Sequence, residues 1–342
     1  MGQMTLRAAV VGFGLAGSVF HAPLIASTPG MAVTTIVTSN RERAERARRE
    51  HPGARIVSSA EAVWERAGEH DLAVIATPNS AHAPLASRAI EAGVAVVVDK
   101  PLAPTSEAAL ELVELAERSG VPLTVFHNRR WDSDQLTLRR LLREGSLGEL
   151  HRYESRFERW RPELRAGAWR EETAPKEGGG LLLDLGTHLV DQAIQLFGPP
   201  EDVYGETDRR RGSASDDDVF IALRHASGVR SHLWASSVAG AVGPRLRVLG
   251  SDAAFVVTEV DGQEDALRDG LRPGDAVDWW REPEKRWGRL FRGHESEPVP
   301  AEPGAWPRFY HQLGAALRGE GDLPVDPRDA VEVLRVLERA EA

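Results

Sequence analysis

The first 126 residues keep one rhythm, and it leaves few folds open. Short, mostly apolar runs alternate with longer stretches of helical periodicity. Leu6–Val11, Ala32–Thr38, Arg55–Val57, Leu72–Ala76, Ala95–Val98 and Leu123–Phe126 read as strands. Leu15–Ser27, Arg41–Glu50, Ala60–Ala67, Ala83–Ala92 and Ser106–Ser119 read as the helices between them. Strands that are apolar on both faces belong in a parallel sheet covered by helices on both sides. Strict alternation of strand and helix therefore predicts a doubly wound α/β domain over residues 1–126.

Where the first strand ends, the chain reads Val10-Val11-Gly12-Phe13-Gly14-Leu15-Ala16-Gly17. In such a turn Gly12 permits the tight bend, Gly14 lets backbone approach a pyrophosphate, and Gly17 lets helix and strand pack closely. The positive end of the next helix then faces the phosphate. The motif in this context predicts a Rossmann dinucleotide site; taken alone, a plain strand–helix turn would explain it. The second strand ends Thr38-Ser39-Asn40-Arg41, with no acid before Glu42. A carboxylate there would bond a ribose 2′-hydroxyl and repel a 2′-phosphate, whereas Ser39, Asn40 and Arg41 suit the phosphate. The expected cofactor is NADP rather than NAD. The competing reading has Arg41 merely open a charged helix beside Glu45.

Ligands of doubly wound sheets bind beyond the carboxyl ends of the strands. Thr77-Pro78-Asn79, with His82 nearby, and Asp99-Lys100-Pro101 both occupy such ends. They are expected at the cofactor cleft, although His82 serves equally well as a helix start. Lys100 is the candidate for chemistry: an ammonium beside a nicotinamide can polarise a carbonyl or relay an alcohol proton. Downstream, Gly178-Gly179-Gly180 precedes Asp184 and His188, whose spacing of four puts them on one helix face. His188 can take a hydroxyl proton, with Asp184 orienting it or bonding a neighbouring hydroxyl. A satisfied helix histidine paired with a carboxylate fits the same residues. Adding Asp191 would make a metal set, but no other metal signature accompanies it, and no metal is expected.

After Phe126 the rhythm changes. Asp134–Glu144 and Leu181–Phe197 read as helices. Glu149–Arg159, Val219–Arg224, Val229–Ser236, Leu246–Gly250 and Ala253–Thr258 interleave polar and apolar residues, as strands with one wetter face do. Residues 127–342 are therefore expected to form an α+β domain with a mostly antiparallel sheet. Residues 261–307, rich in Gly, Pro, Trp and charge, read as long loops, Asp216–Asp218 as a loop, and Ala330–Ala340 as a final helix.

Composition removes whole classes of function. The chain has no cysteine, which excludes disulfides and thiolate chemistry. Its formal net charge of −10 argues against nucleic acid and anionic lipid as partners. No stretch approaches a membrane span, and the N-terminus lacks the apolar core of a signal peptide, so a cytoplasmic protein is expected.

These motifs, in this order, resemble the glucose–fructose oxidoreductase/inositol dehydrogenase family (Gfo/Idh/MocA). The resemblance covers nearly the whole chain, though Asp99 stands where the family usually has Glu. Gly14-Leu15-Ala16-Gly17-Ser18-Val19-Phe20-His21-Ala22-Pro23-Leu24 and Phe126-His127-Asn128-Arg129-Arg130-Trp131-Asp132-Ser133-Asp134 are closest to its NADP-dependent scyllo-inositol dehydrogenase branch. The resemblance implies that Lys100, Asp184 and His188 are catalytic and that Asn128, Trp169 and Arg170 lie near the cofactor. It implies an open second sheet that serves as the interface of a homodimer or homotetramer. Arg156, Arg159, Arg161 and Arg165 either line a cleft for a polyol or anionic sugar or form a solvated charged face; Arg156 is taken with Asn128 as a substrate contact. The expected reaction is reversible oxidation of a secondary alcohol on a cyclic polyol or sugar. The alternatives are a non-catalytic NADP(H) sensor and a reductase of imines or dicarbonyls.

Overall fold

In the computed structural model, the structure describes residues 5–341 except 165, 166, 168, 275 and 277. The strands of the first sheet are β1 (Leu6–Val11), β2 (Met31–Val37), β3 (Arg55–Val57), β4 (Leu72–Ile75), β5 (Ala95–Asp99) and β6 (Leu123–Phe126). Their order is β3-β2-β1-β4-β5-β6, every pair parallel. β4 and β5 are buried at every position, the signature of a strand covered on both faces. The order reverses between β1 and β4, and the glycine turn sits at that switch point.

The second sheet contains β7 (Leu150–Glu158), β8 (Pro200–Asp208), β9 (Asp218–His225), β10 (Arg230–Ser236), β11 (Leu246–Gly250), β12 (Ala254–Val257), β13 (Arg289–Arg292) and β14 (Glu295–Pro298). Its order is β14-β13-β12-β11-β7-β10-β9-β8. Only β7 and β10 pair in parallel; the other neighbours are antiparallel. Residues alternate in burial along β9 and β10. Val219, Ile221, Leu223, Leu233 and Ala235 face the core, whereas Phe220, His232 and Trp234 lie on the open face.

Residues 261–307 hold more order than their composition suggests. They contain the helix Gln263–Arg268 and the hairpin β13–β14, which extends the second sheet. The hairpin strands span four residues each and bury little besides Leu290, so no periodicity could betray them. The edge strand β8, charged and mostly exposed, and the helix Pro307–Leu317, which buries Phe309, Tyr310 and Leu313, also lie outside the elements that the sequence reading named.

The end of the chain returns to the first sheet. Phe309 meets Phe126 edge-on at 4.9 Å, Thr124 Oγ1 donates to Val325 O at 2.7 Å, and the final helix Pro327–Glu341 packs on Ser106–Ser119. Residues beyond 305 thus belong by their contacts to both sheets, which tightens the seam where the cleft lies.

Candidate active site

The glycine turn is built as its spacing requires. Gly12 has φ +100°, and a Cβ there would lie 2.4 Å from Ala76 O. A Cβ on Gly17 would meet Gly12 O at 2.0 Å. At Gly14 the nearest atom to such a Cβ is Arg43 Nη1, at 3.7 Å, an ordinary contact with the end of a flexible side chain. The turn is therefore locked at both ends and accessible in the middle, where a pyrophosphate would approach backbone N–H groups. Thr77 Oγ1 is buried at the end of β4 with no hydrogen-bond partner among the described residues. A polar atom left this way wants a ligand. These features fit a dinucleotide.

Ser39, Asn40 and Arg41 are exposed beyond the end of β2. Asn40 Oδ1 accepts from Arg43 N at 2.9 Å and caps the helix Arg41–Glu50. Arg41 extends into solvent and pairs with Glu45 at 3.2 Å. Arg43, next to Gly14, joins it as a second cation that the motif reading missed; its helical offset from the strand end was the available signal.

Below the turn a cleft of about 710 Å³ opens between the two sheets, a size suited to a small-molecule site. Leu15, Asp99, Lys100 and Asn128 line it from one side, and Phe157, Arg170, Asp184 and His188 from the other. Lys100 comes off the end of β5, while Asp184 lies in a π-helical turn, Leu182–Gly186, that leads into the helix Thr187–Phe197. Such wider turns are frequent at functional sites. Lys100 Nζ donates to both Asp184 Oδ1 and Asp184 O at 2.6 Å. Arg170 Nε approaches the same carboxylate at 3.3 Å. Burial alone would raise the Asp184 pKa, but Lys100 and Arg170 overcome it and hold the group well below the usual carboxylate range.

His188 is buried in the same cleft, its ring edge-on to Phe157 at 6.3 Å. Burial pushes its pKa well down, and the cations Lys100 and Arg129 push it further. It is a neutral imidazole at neutral pH. Asp191 is held elsewhere: Arg130 grips it with bonds of 2.6 and 3.0 Å and also reaches Asp329 at 2.9 Å. The Asp184–His188–Asp191 grouping therefore does not converge, and no metal-binding cluster occurs among the described residues.

Several expected contacts turn out otherwise. His82 is fully buried, with Nδ1 2.7 Å from Pro101 O and Nε2 2.9 Å from Thr77 O; kept neutral by burial, the ring donates to one of these two carbonyls. It clamps two strand-end loops together, so its ring is not available to a cofactor. Asn79 donates from Nδ2 to Gly178 O at 2.7 Å and ties the glycine run to the first sheet. Arg156 leaves the cleft altogether. It sits on the open face of β7, stacked over Trp234 at 3.8 Å and bonded to Glu154 at 3.1 Å, because odd and even residues of a strand face opposite ways. Phe157, Arg159 and Arg161 line the cleft instead, together with Glu158 at the end of β7. Pro78 begins the turn that carries Asn79. Arg165 and the side chain of Trp169 lie outside what the structure describes. Asp216, taken as a loop residue, lines the cleft, and its Oδ2 accepts from Leu182 N at 2.6 Å at the start of the turn Leu182–Gly186. Burial raises its pKa to about 6.

A nucleotide-type turn facing a Lys–Asp pair and a neutral histidine defines a two-sheet oxidoreductase. The comparisons agree. The family described as "Oxidoreductase family, NAD-binding Rossmann fold" matches residues 6–127, and the "GFO/IDH/MocA C-terminal domain" matches residues 135–256. The chain is 35% identical over 342 residues to scyllo-inositol 2-dehydrogenase (NADP(+)) IolW of Bacillus subtilis, covering 98% of this chain and 93% of that protein. It is 39% identical to the uncharacterized oxidoreductase YdgJ of Escherichia coli, covering 97% and 94%. The solved structure of yvaA from Bacillus subtilis superposes with a TM-score of 0.91 at 33% identity, covering 100% of this chain and 96% of that one. YPO2259 of Yersinia pestis gives 0.90 at 38%, covering 100% and 96%. The chain belongs to the Gfo/Idh/MocA family of oxidoreductases.

Proposed function

We propose that this protein is an NADP-dependent dehydrogenase that reversibly oxidises a secondary alcohol of a cyclic polyol or sugar. The observation that carries the proposal is the convergence of Lys100, Asp184 and neutral His188 in one cleft beneath the glycine turn. When bound, the nicotinamide takes or supplies the hydride. The chain's own residues do the rest. Lys100 Nζ, fixed by two bonds to Asp184, points its remaining N–H at the substrate oxygen and stabilises negative charge there. His188 offers an imidazole lone pair, kept unprotonated by burial and nearby cations, to the departing hydroxyl proton. Asp184 orients the lysine, and its remaining acceptor capacity suits a neighbouring hydroxyl.

Arg41 and Arg43 beside the glycine turn, with no acid at the end of β2, support NADP over NAD. The name of the Bacillus subtilis relative supports both this cofactor and an inositol-like substrate. In this reading residues 1–126 hold the cofactor, while residues 127–342 build the substrate wall and the subunit interface. The open face of the second sheet, with its partly exposed row of Tyr204, Phe220, His232 and Trp234, supports self-association into a homodimer or homotetramer. Among the described residues no helix is long and apolar enough to cross a membrane. We place the protein in the cytoplasm, where dinucleotides are available.

A panel of inositols and sugars with NADP and NAD, followed by absorbance of the reduced nicotinamide, tests the function. Turnover of a cyclic polyol with NADP is expected. Tight NADPH binding with no turnover across the panel would refute the enzyme and leave a sensor. Turnover only of imines or dicarbonyls would refute the substrate class.

A further inference from the structure

The glycine turn draws its nearby cations from another element: Arg43 Nη1 lies 3.7 Å from where a Gly14 Cβ would sit, and Arg46 Nη1 donates to Ser18 Oγ at 3.2 Å. No Lys or Arg occurs from Gly12 to Asn40. The first cations after the turn, Arg41 and Arg43, come from the helix Arg41–Glu50 that follows β2. Backbone N–H groups and a helix end offset only part of two phosphate charges.

The second body brings a further cation to the turn from the cleft side. The helix Gln263–Arg268 packs on Ala16–His21, the helical turn that follows the glycine motif. Arg268 lines the same cleft wall as Leu15 and Ala16. Its side chain is nearly half exposed, and its Nη2 and Nε donate to Glu264 Oε1 at 2.7 and 3.0 Å. Glu264 is in turn held by Arg129 at 2.9 Å. Releasing Arg268 to a ligand would therefore leave the Glu264 carboxylate still paired. Farther along, Arg272 lies near enough to His51 for its charge to act on that imidazole, and His51 meets Phe13 of the glycine turn edge-on at 6.0 Å.

The root of this segment is pinned. Gln263 is fully buried; it donates to Trp131 O at 3.1 Å and accepts from Trp279 Nε1 at 3.0 Å and Trp306 N at 2.9 Å. Gly262 N donates to Glu282 Oε1 at 2.7 Å. A fixed root with a cationic, solvent-facing end suits a contact made only when ligand arrives.

We propose that residues 260–272 form a clasp over the bound dinucleotide and that Arg268 binds its pyrophosphate. The proposal rests on the dinucleotide reading above. The pyrophosphate is common to both nicotinamide cofactors, so the clasp serves NADPH and NADH alike, whereas Arg41 and Arg43 discriminate between them.

The test is titration of the intact protein with NADPH and with NADH, followed by fluorescence, at several salt concentrations. Arg268→Ala is expected to weaken both dissociation constants about tenfold, the size of one charge-assisted hydrogen bond. The NADPH/NADH ratio should stay constant. The dependence of affinity on salt should flatten, since one ionic contact is gone. Arg268→Lys should restore most of the affinity and the salt dependence. A change that is purely structural would not move the salt slope. If Arg268→Ala binds both nucleotides as the unaltered protein does, or keeps its salt slope, the clasp is wrong while the cofactor reading stands. If the unaltered protein binds neither nucleotide, both fall together.

Discussion

Replacing Lys100 with Met is the sharpest test of the active site. The substitution keeps an unbranched side chain and removes the ammonium. Two bonds of 2.6 Å to Asp184 disappear, and the carboxylate retains Arg170 at 3.3 Å. Hydrogen bonds to charged groups contribute about 1.5–3 kcal/mol each. Both lost bonds converge on one residue that keeps another cation, so stability should fall by only about 1–3 kcal/mol. The Asp184 pKa should rise, because burial is no longer fully opposed. Removing a group that stabilises charge on the reacting oxygen costs roughly 10²–10⁴-fold in turnover. Steady-state kinetics should therefore show kcat reduced by about that factor, with NADPH affinity nearly unchanged. Unaltered kcat in a folded Lys100→Met protein would refute the catalytic assignment. A loss of NADPH affinity as large as the loss of kcat would instead make Lys100 a cofactor anchor.

The remaining predictions concern pH, the turn, the buried ion pair and the open sheet. His188 has a depressed pKa in the folded protein, so the unfolded chain takes up its proton first as pH falls. Its contribution to stability is complete above pH 6.5 and is lost as pH falls through the folded value. Denaturant titrations should therefore show a shallower acid decline for His188→Gln than for the unaltered protein; equal slopes would refute the shift. Gly17→Ala forces a Cβ to within 2.0 Å of Gly12 O, and nucleotide binding should be lost together with several degrees of melting temperature; normal NADPH affinity would show that the turn can relax. Arg130→Met strands the buried Asp191, and unfolding titrations should show a loss of about 3–5 kcal/mol. Arg156→Ala should leave kcat/KM unchanged and weaken self-association in sedimentation runs; a large fall in kcat/KM would return Arg156 to the substrate site.

The first sheet was legible because parallel strands need apolar residues on both faces, and that demand is written locally. Ser106–Ser119 and Leu123–Phe126 fall where periodicity placed them. The glycine turn was legible for the same reason: Gly12 and Gly17 answer to backbone atoms within a few residues or one strand away. Local demand was far weaker in the hairpin β13–β14, whose strands bury almost nothing, so composition there suggested loops.

The candidate site divides along the same line. Lys100, Asp184 and His188 could be named from motif order, but only the folded chain brings Lys100 and Asp184, 84 positions apart, to 2.6 Å. Side-chain economy also waited for the fold. His82 and Asn79 read as cofactor contacts in the sequence; the His82 ring is held between two backbone carbonyls, and Asn79 commits an amide N–H to Gly178 O. Arg156 carries the right charge on the wrong face of its strand. The sequence by itself determined which chemistry the chain holds, because residue type and short-range spacing are properties of the chain. Tertiary structure decided which groups face the cleft, because direction and pairing are set by strand parity and by partners far away in sequence.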